Sequence, residues 1–260
     1  MTSLMGKLAV ALLALVIPAV GAAQAEAIKA GISAEPYPPF ATADASGKWS
    51  GWEIEITEAI CKAAKLECTI VPVAWDGIIP ALTSNKIDAI FASMSITPER
   101  KQTIDFSDKY YNSPTAVMGP KAAKFTATPE GLKGKIIGVQ ISTIHENYVK
   151  KYFTSAAEVK TYQTEDEAHQ DLVAGRVDAV QGDEITLKAF LDSAEGKACC
   201  DLKGEVKDDP EVLGAGVGAG LRKSDTALKA KIDAAIKQIR ADGTYDKISK
   251  PYFDFDIYGK

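Results

Sequence analysis

The chain has 260 residues, with 30 Lys and Arg against 35 Asp and Glu, a net charge of −5 and 46% apolar residues. This is the composition of an ordinary globular protein, and an acidic balance without basic runs argues against nucleic acid or anionic lipid as partners. The only two histidines, His145 and His169, lie far in sequence from all four cysteines, so no metal and no cofactor is expected.

In chain order, residues 1–25 read as an export signal. Lys7 supplies the positive start, residues 8–20 form an apolar run broken by Pro18, and Ala23-Gln24-Ala25 has the small-x-small pattern of a cleavage site. The run is shorter than the roughly 20 residues that span a bilayer. No Cys follows the cleavage pattern, so a lipid anchor is not expected and a soluble periplasmic protein is.

Residues 28–32 alternate as a strand, and 53–65 have helical spacing through Ile56, Ile60 and Ala64. A strand over 69–73 and a short helix over 78–83 follow. Cys61 and Cys68 stand seven apart where that first helix ends and the next strand begins, and export permits a disulfide there. Residues 136–139 open a second set of strands, followed by a helix through Tyr148 and Phe153. Cys199 and Cys200 are adjacent, and a vicinal disulfide, another pairing and free thiols all remain open. The glycine run over 214–220 lacks the Lys-Ser/Thr of a phosphate loop and reads as strand packing. Leu228, Ile232, Ala235 and Ile239 stripe a last helix that Gly243 closes.

One internal repeat organises these elements. Leu82-Thr83-Ser84-Asn85-Lys86-Ile87-Asp88-Ala89-Ile90 recurs 90 residues later as Leu172-Val173-Ala174-Gly175-Arg176-Val177-Asp178-Ala179-Val180. Each copy reads as a helix end, a left-handed cap at Asn or Gly, and a short apolar strand. Two copies in this setting predict two similar α/β lobes, with a ligand crevice beyond the carboxyl ends of their strands.

The polar residues that follow those strands suit a free amino acid. After the strand at 87–91, Thr97-Pro98-Glu99 reads as a helix start. Arg100 in its first turn can grip a carboxylate, with Ser93 and Ser95 as short hydroxyl donors; a surface pairing of Arg100 with Glu99 is the plain alternative. After 177–180, Asp183 is placed to accept from an ammonium, or to cap the helix over 185–191. Thr143 and Glu146 fit a capping box at another helix start. Trp75, and Glu35 and Tyr37 in a proline-stiffened segment, suit the cleft walls, although core packing is what most aromatic side chains do.

These stretches resemble the periplasmic polar amino-acid-binding proteins, in particular the lysine/arginine/ornithine-, histidine- and opine-binding group of solute-binding protein family 3. The likeness is carried by Tyr37-Pro38-Pro39-Phe40, Gly51-Trp52-Glu53-Ile54-Glu55-Ile56, Ser93-Met94-Ser95-Ile96-Thr97-Pro98-Glu99-Arg100, Gly175-Arg176-Val177-Asp178-Ala179, Ala241-Asp242-Gly243-Thr244-Tyr245 and the closing Tyr252-Phe253-Asp254-Phe255-Asp256-Ile257-Tyr258-Gly259. It covers the whole mature chain. It implies the type II periplasmic-binding fold, with one lobe over 28–113 plus 213–260 and the other over 114–212. It also implies a monomer that delivers arginine, ornithine, lysine, histidine or a related compound to an ABC permease in the inner membrane. By resemblance Arg100 holds the α-carboxylate, Asp183 the α-ammonium, Ser93 and Ser95 add hydrogen bonds, and Tyr37 and Trp75 flank the side chain, with Glu35 as its polar partner and Thr143 on the second lobe. Cys61 and Cys68 occupy the positions of a disulfide in such relatives. Three positions depart from the group's pattern: Ile144 replaces a usual hydroxyl, Ala92 replaces a serine as in opine-type members, and Glu35 is offset from the usual side-chain acid. A dehydratase-like periplasmic enzyme on the same fold is the alternative, but no nucleophile elbow, metal cluster or catalytic carboxylate pair is legible.

Overall fold

A computed structural model describes residues 26–259; the export signal expected over 1–25 lies outside the described residues. The first lobe begins with β1 (Glu26–Ser33), a small ribbon of β2 (Thr42–Ala43) and β3 (Trp49–Ser50), and α1 (Trp52–Ala63). It continues with β4 (Leu66–Val73), α2 (Ile78–Thr83), β5 (Ala89–Ile90), α3 (Pro98–Lys101) and β6 (Asp105–Tyr111). The chain then crosses to β7 (Thr115–Pro120), β8 (Ile136–Gln140), α4 (Ile144–Tyr152), β9 (Glu158–Tyr162), α5 (Glu165–Val173) and β10 (Ala179–Asp183). There follow α6 (Glu184–Asp192), α7 (Ala194–Cys199), β11 (Cys200–Glu205) and α8 (Pro210–Leu213). A second crossing leads back to β12 (Val217–Leu221), α9 (Thr226–Ala241) and α10 (Thr244–Ser249).

Two five-stranded sheets result, ordered β4-β1-β5-β12-β6 and β9-β8-β10-β7-β11. In the first, β1 runs parallel to β4 and β5, and β12 is antiparallel to β5 and β6. In the second, β8 runs parallel to β9 and β10, and β7 is antiparallel to β10 and β11. The sheets share one plan. In each, the antiparallel fourth strand is the one on which the chain arrives from the other lobe, so the two crossings lie side by side. This is the two-lobed type II arrangement.

The repeat explains itself in this frame. Asn85 and Gly175 both adopt left-handed backbone, φ 61° and 70°, at equivalent helix ends. Asp88 accepts from the Lys29 N–H on β1 at 2.9 Å, and Asp178 accepts from the Ile136 N–H on β8 at 2.8 Å. The recurring aspartate thus satisfies a backbone donor on the central parallel strand that the short β5 or β10 does not reach. β5 is shorter than the strand expected over 87–91: two further bonds, Asp88 N–H to Lys29 O and Phe91 N–H to Gly31 O, extend the pairing before the chain turns at Ser93, φ 52°.

The first lobe's core lies where α1 meets α9. Trp52, Ile56 and Ile60 pack with Leu228, Ile232, Ala235, Ile236 and Ile239, all of them buried. The Cys61–Cys68 disulfide ties the end of α1 to β4, and Cys199 and Cys200 are bonded to each other. The glycine run is strand packing: a Cβ at Gly218 would stand 2.8 Å from Ile96, and one at Gly220 3.2 Å from Ile90 and Ile104. No helix among the described residues is long and apolar enough to cross a membrane.

Candidate ligand-binding site

The loops that leave the carboxyl ends of the parallel strands converge on one cavity between the lobes, about 630 Å³ including its mouth. From the first lobe come Glu35 and Tyr37 after β1, Trp75 after β4, Ala92, Ser93 and Ser95 after β5, and Arg100 in α3. From the second come Gln140, Thr143, Ile144 and His145 around the β8–α4 turn, Glu165 at the start of α5, and Asp183 at the end of β10. Every residue expected at the site, Glu35, Tyr37, Trp75, Ala92, Ser93, Ser95, Arg100, Thr143 and Asp183, therefore lines the same space.

Local chemistry places each group. Thr97 caps α3 by accepting from the Arg100 N–H at 3.2 Å, with Pro98 in the first turn. α3 has only one turn, so its dipole is weak and the guanidinium is what matters there. Arg100 does not pair with Glu99, which instead accepts from Asn147 at 2.8 Å. The guanidinium donates to the carbonyls of Ser95 at 3.1 Å and Ser142 at 3.5 Å, and lies 5.4 Å from the centre of the Trp75 ring. Asp183 occupies the cap position of α6, but its side chain makes no capping bond. Its carboxylate accepts from the Tyr37 hydroxyl at 2.6 Å, across the cleft. Of the two roles open to it, it faces the cleft.

Thr143 caps α4 by accepting from the Glu146 N–H at 3.1 Å, and its hydroxyl donates to Gln140 O at 2.7 Å. The expected capping box is off by one: Glu146 accepts from the Ser142 N–H at 2.6 Å instead of from Thr143. The reason is the left-handed backbone at Ser142, φ 61°, which turns that N–H toward the helix and aims the carbonyl across the cleft. Ser93, also left-handed, gives both its N–H and its hydroxyl to Glu53, at 2.7 and 2.9 Å. With its donors taken, Ser93 offers lone pairs to the cavity. Glu35 accepts from Ser33 and from the Trp75 N–H, which fixes the loop after β1 against the one after β4.

Four carboxyl groups line the cavity, Glu35, Glu53, Glu165 and Asp183, against one arginine. Burial lowers Arg100 to about 10, which leaves it charged at neutral pH. Burial raises Asp183 to about 6, and burial together with the Asp183 charge raises Glu165 to about 8. Burial, together with the Arg100 charge, pushes His145 down to about 3, so this imidazole neighbour of Asp183, at 3.7 Å, is neutral. The cavity thus combines one fixed cation with four acids that are hydrogen-bonded but outnumber the positive charge among its lining residues.

With that geometry in view, comparison with known proteins places the chain. The model of the bacterial extracellular solute-binding proteins, family 3, matches residues 28–255. The chain belongs to that family. It is 41% identical over 234 residues to the L-arginine-binding protein of Pseudomonas aeruginosa, covering 89% of this chain and 90% of that one. It is 40% identical over 225 residues to the lysine/arginine/ornithine-binding periplasmic protein of Escherichia coli, covering 86% of each. Among solved structures it resembles an ancestral arginine-binding protein bound to arginine, with a TM-score of 0.81, 36% identity, and coverage of 88% of this chain and 99% of that one. The protein is an extracellular, periplasmic solute-binding protein, and these relatives are named for binding.

Among its cavity residues, the sequence reading passed over Glu53, Glu165, His145 and Gln140. Glu53 left a signal: it is an acid on the buried stripe of α1, beside Trp52, Ile56 and Thr57. Glu165 left none, because Thr164-Glu165-Asp166-Glu167 reads as a capping box with first-turn acids, which it also is.

Proposed function

We propose that this protein is the receptor subunit of an ABC importer and captures a basic amino acid in the periplasm for a membrane permease. The observation that carries this is a buried inter-lobe cavity with a single arginine on one lobe and an excess of carboxylates around it. A zwitterion with a cationic side chain supplies what that cavity lacks. Arg100 takes the α-carboxylate; Asp183, with the lone pairs of Ser93, takes the α-ammonium. Tyr37 and Trp75 cover the aliphatic chain, and Glu35 receives its cationic end. Ser95, Ala92 and Thr143 complete the walls, and Ile144 adds an apolar contact where a hydroxyl would add a polar one. The relatives' names, arginine-binding and lysine/arginine/ornithine-binding, support the ligand class.

In this reading the lobes divide at residues 113/114 and 212/213, and the ligand bridges them when they close. The receptor acts as a monomer and leaves its ligand unchanged. The test is calorimetric titration of refolded, ligand-stripped protein with arginine, ornithine, lysine, histidine and glutamine, followed by mass spectrometry of the ligand. A basic amino acid binds at micromolar concentration or tighter, about −8 kcal/mol or better, and is recovered intact. Arg100→Ala and Asp183→Asn each weaken it roughly 100-fold or more with unchanged circular dichroism. Retained affinity in both variants, or turnover of the ligand, overturns the reading.

A further inference from the structure

Glu165 has no part in that account, yet the fold makes specific room for it. Its carboxylate lies against β10: Thr186 donates to Oε1 at 3.1 Å, and a Cβ at Gly182 would stand 2.2 Å from the same oxygen. A side chain at 182 would push the acid away, so glycine there is what lets a second carboxyl group line the cavity that Asp183 also lines. Both acids are nearly buried, with side chains 11% and 9% exposed. Their imidazole neighbours are His169, 3.9 Å from Glu165, and His145, 3.7 Å from Asp183. Burial keeps both rings neutral, His169 at about 4. Two carboxyl groups on one cavity without a formal countercharge on their own lobe are costly unless a ligand brings the positive charge.

We propose that Glu165 is a specificity-determining residue, which with Asp183 forms a two-carboxylate subsite for a free, protonated α-amino group and rejects amino acids whose α-nitrogen carries an N-carboxyalkyl group. This rests on the assignment of the α-carboxylate to Arg100 and the α-ammonium to Asp183. A primary ammonium has three N–H donors, which two carboxylates and the Ser93 lone pairs can share. An N-carboxyalkylated amine has two N–H donors and brings a further carboxylate to the acidic wall, where like charges repel. Selectivity then comes from a repulsive element as much as from an attractive one.

The experiment is calorimetric titration of ligand-stripped protein with L-arginine and with N2-(1-carboxyethyl)-L-arginine, in the unsubstituted protein, Glu165→Gln, Gly182→Ala and Asp183→Asn. The unsubstituted protein prefers L-arginine by roughly 100-fold. Glu165→Gln, which keeps an acceptor for Thr186, lowers that preference by roughly tenfold or more, with weaker arginine and stronger N-carboxyethyl binding. Gly182→Ala displaces the carboxylate without touching the Asp183 side chain and shifts the preference in the same direction. Asp183→Asn loses both ligands. A preference unchanged within about twofold in both Glu165→Gln and Gly182→Ala, while Asp183→Asn still abolishes binding, overturns the role of Glu165 and leaves the receptor reading standing. Failure of the unsubstituted protein to bind either compound overturns this inference together with that reading.

Discussion

Charge at individual residues sets the terms on which this cleft accepts a ligand. Asp183 at about 6 and Glu165 at about 8 both hold protons more tightly than an exposed carboxyl does. The groups acting on Glu165 are Asp183 on β10, Asp166 and His169 on its own helix, and Tyr37 from the first lobe. An arriving ammonium favours the ionised carboxylates and so displaces protons. Affinity for a basic amino acid is therefore expected to rise as pH climbs from about 6 through about 8 and to level beyond. The sign for the empty protein is opposite. An acid whose folded-state pKa is raised contributes stability at low pH that is lost as pH rises through that value. Titrations at pH 7 in buffers of different ionisation enthalpy check the coupling: binding releases protons, and proton uptake would contradict it.

At the scale of elements, the turn that joins β8 to α4 shows how one motif serves two purposes. Thr143 caps α4 and ties the turn to Gln140 O, while the left-handed Ser142 sends its carbonyl toward the first lobe. Thr143→Ala removes the cap at a cost of about 1 kcal/mol. For a chain of this size that lowers the melting temperature of the empty protein by about 2–4 °C, readable by calorimetric scanning. Such elements were largely legible beforehand. The stripe of α9, the short helix at 78–83 and the Thr97-Pro98 helix start rest on local periodicity and capping, which a sequence displays. The N–H that Glu146 accepts from belongs to Ser142, one residue before the one a capping box predicts, because a positive φ at a serine leaves no mark in the sequence.

For the whole molecule, the question is what holds the lobes together. Hydrogen bonds cross the cleft from Tyr37 to Asp183, from the Trp75 indole to Ser142 O at 3.2 Å, from Arg100 to the same carbonyl, and from Asn147 to Glu99. They link loops whose own lobes are folded without them, so they act on the balance between open and closed forms more than on stability. Trp75→Phe keeps a ring at the cleft wall and removes the indole donor. It is expected to weaken ligand binding severalfold, about 1 kcal/mol for one neutral hydrogen bond, and to leave the melting temperature of the empty protein unchanged. Small-angle scattering of that variant without ligand should show a larger radius of gyration than the unsubstituted protein; an identical radius and affinity would remove the indole bond from the closing mechanism.

The sequence by itself determined the two-lobed α/β plan, because a repeated helix–cap–strand unit with its aspartate is a local pattern, and it placed Arg100 and Asp183 at the crevice, because both follow strand ends. Which carboxylates share the cavity was decided only by tertiary structure. Glu165 lines the cavity with Asp183 because β10 carries glycine at 182 and Thr186 holds the acid there, and Glu53 reaches Ser93 because α1 packs under the loop after β5. Those contacts join residues 40 or more positions apart or on separate elements, and local preference carries no information about them. The number of acids in the cleft is therefore a property of the packing.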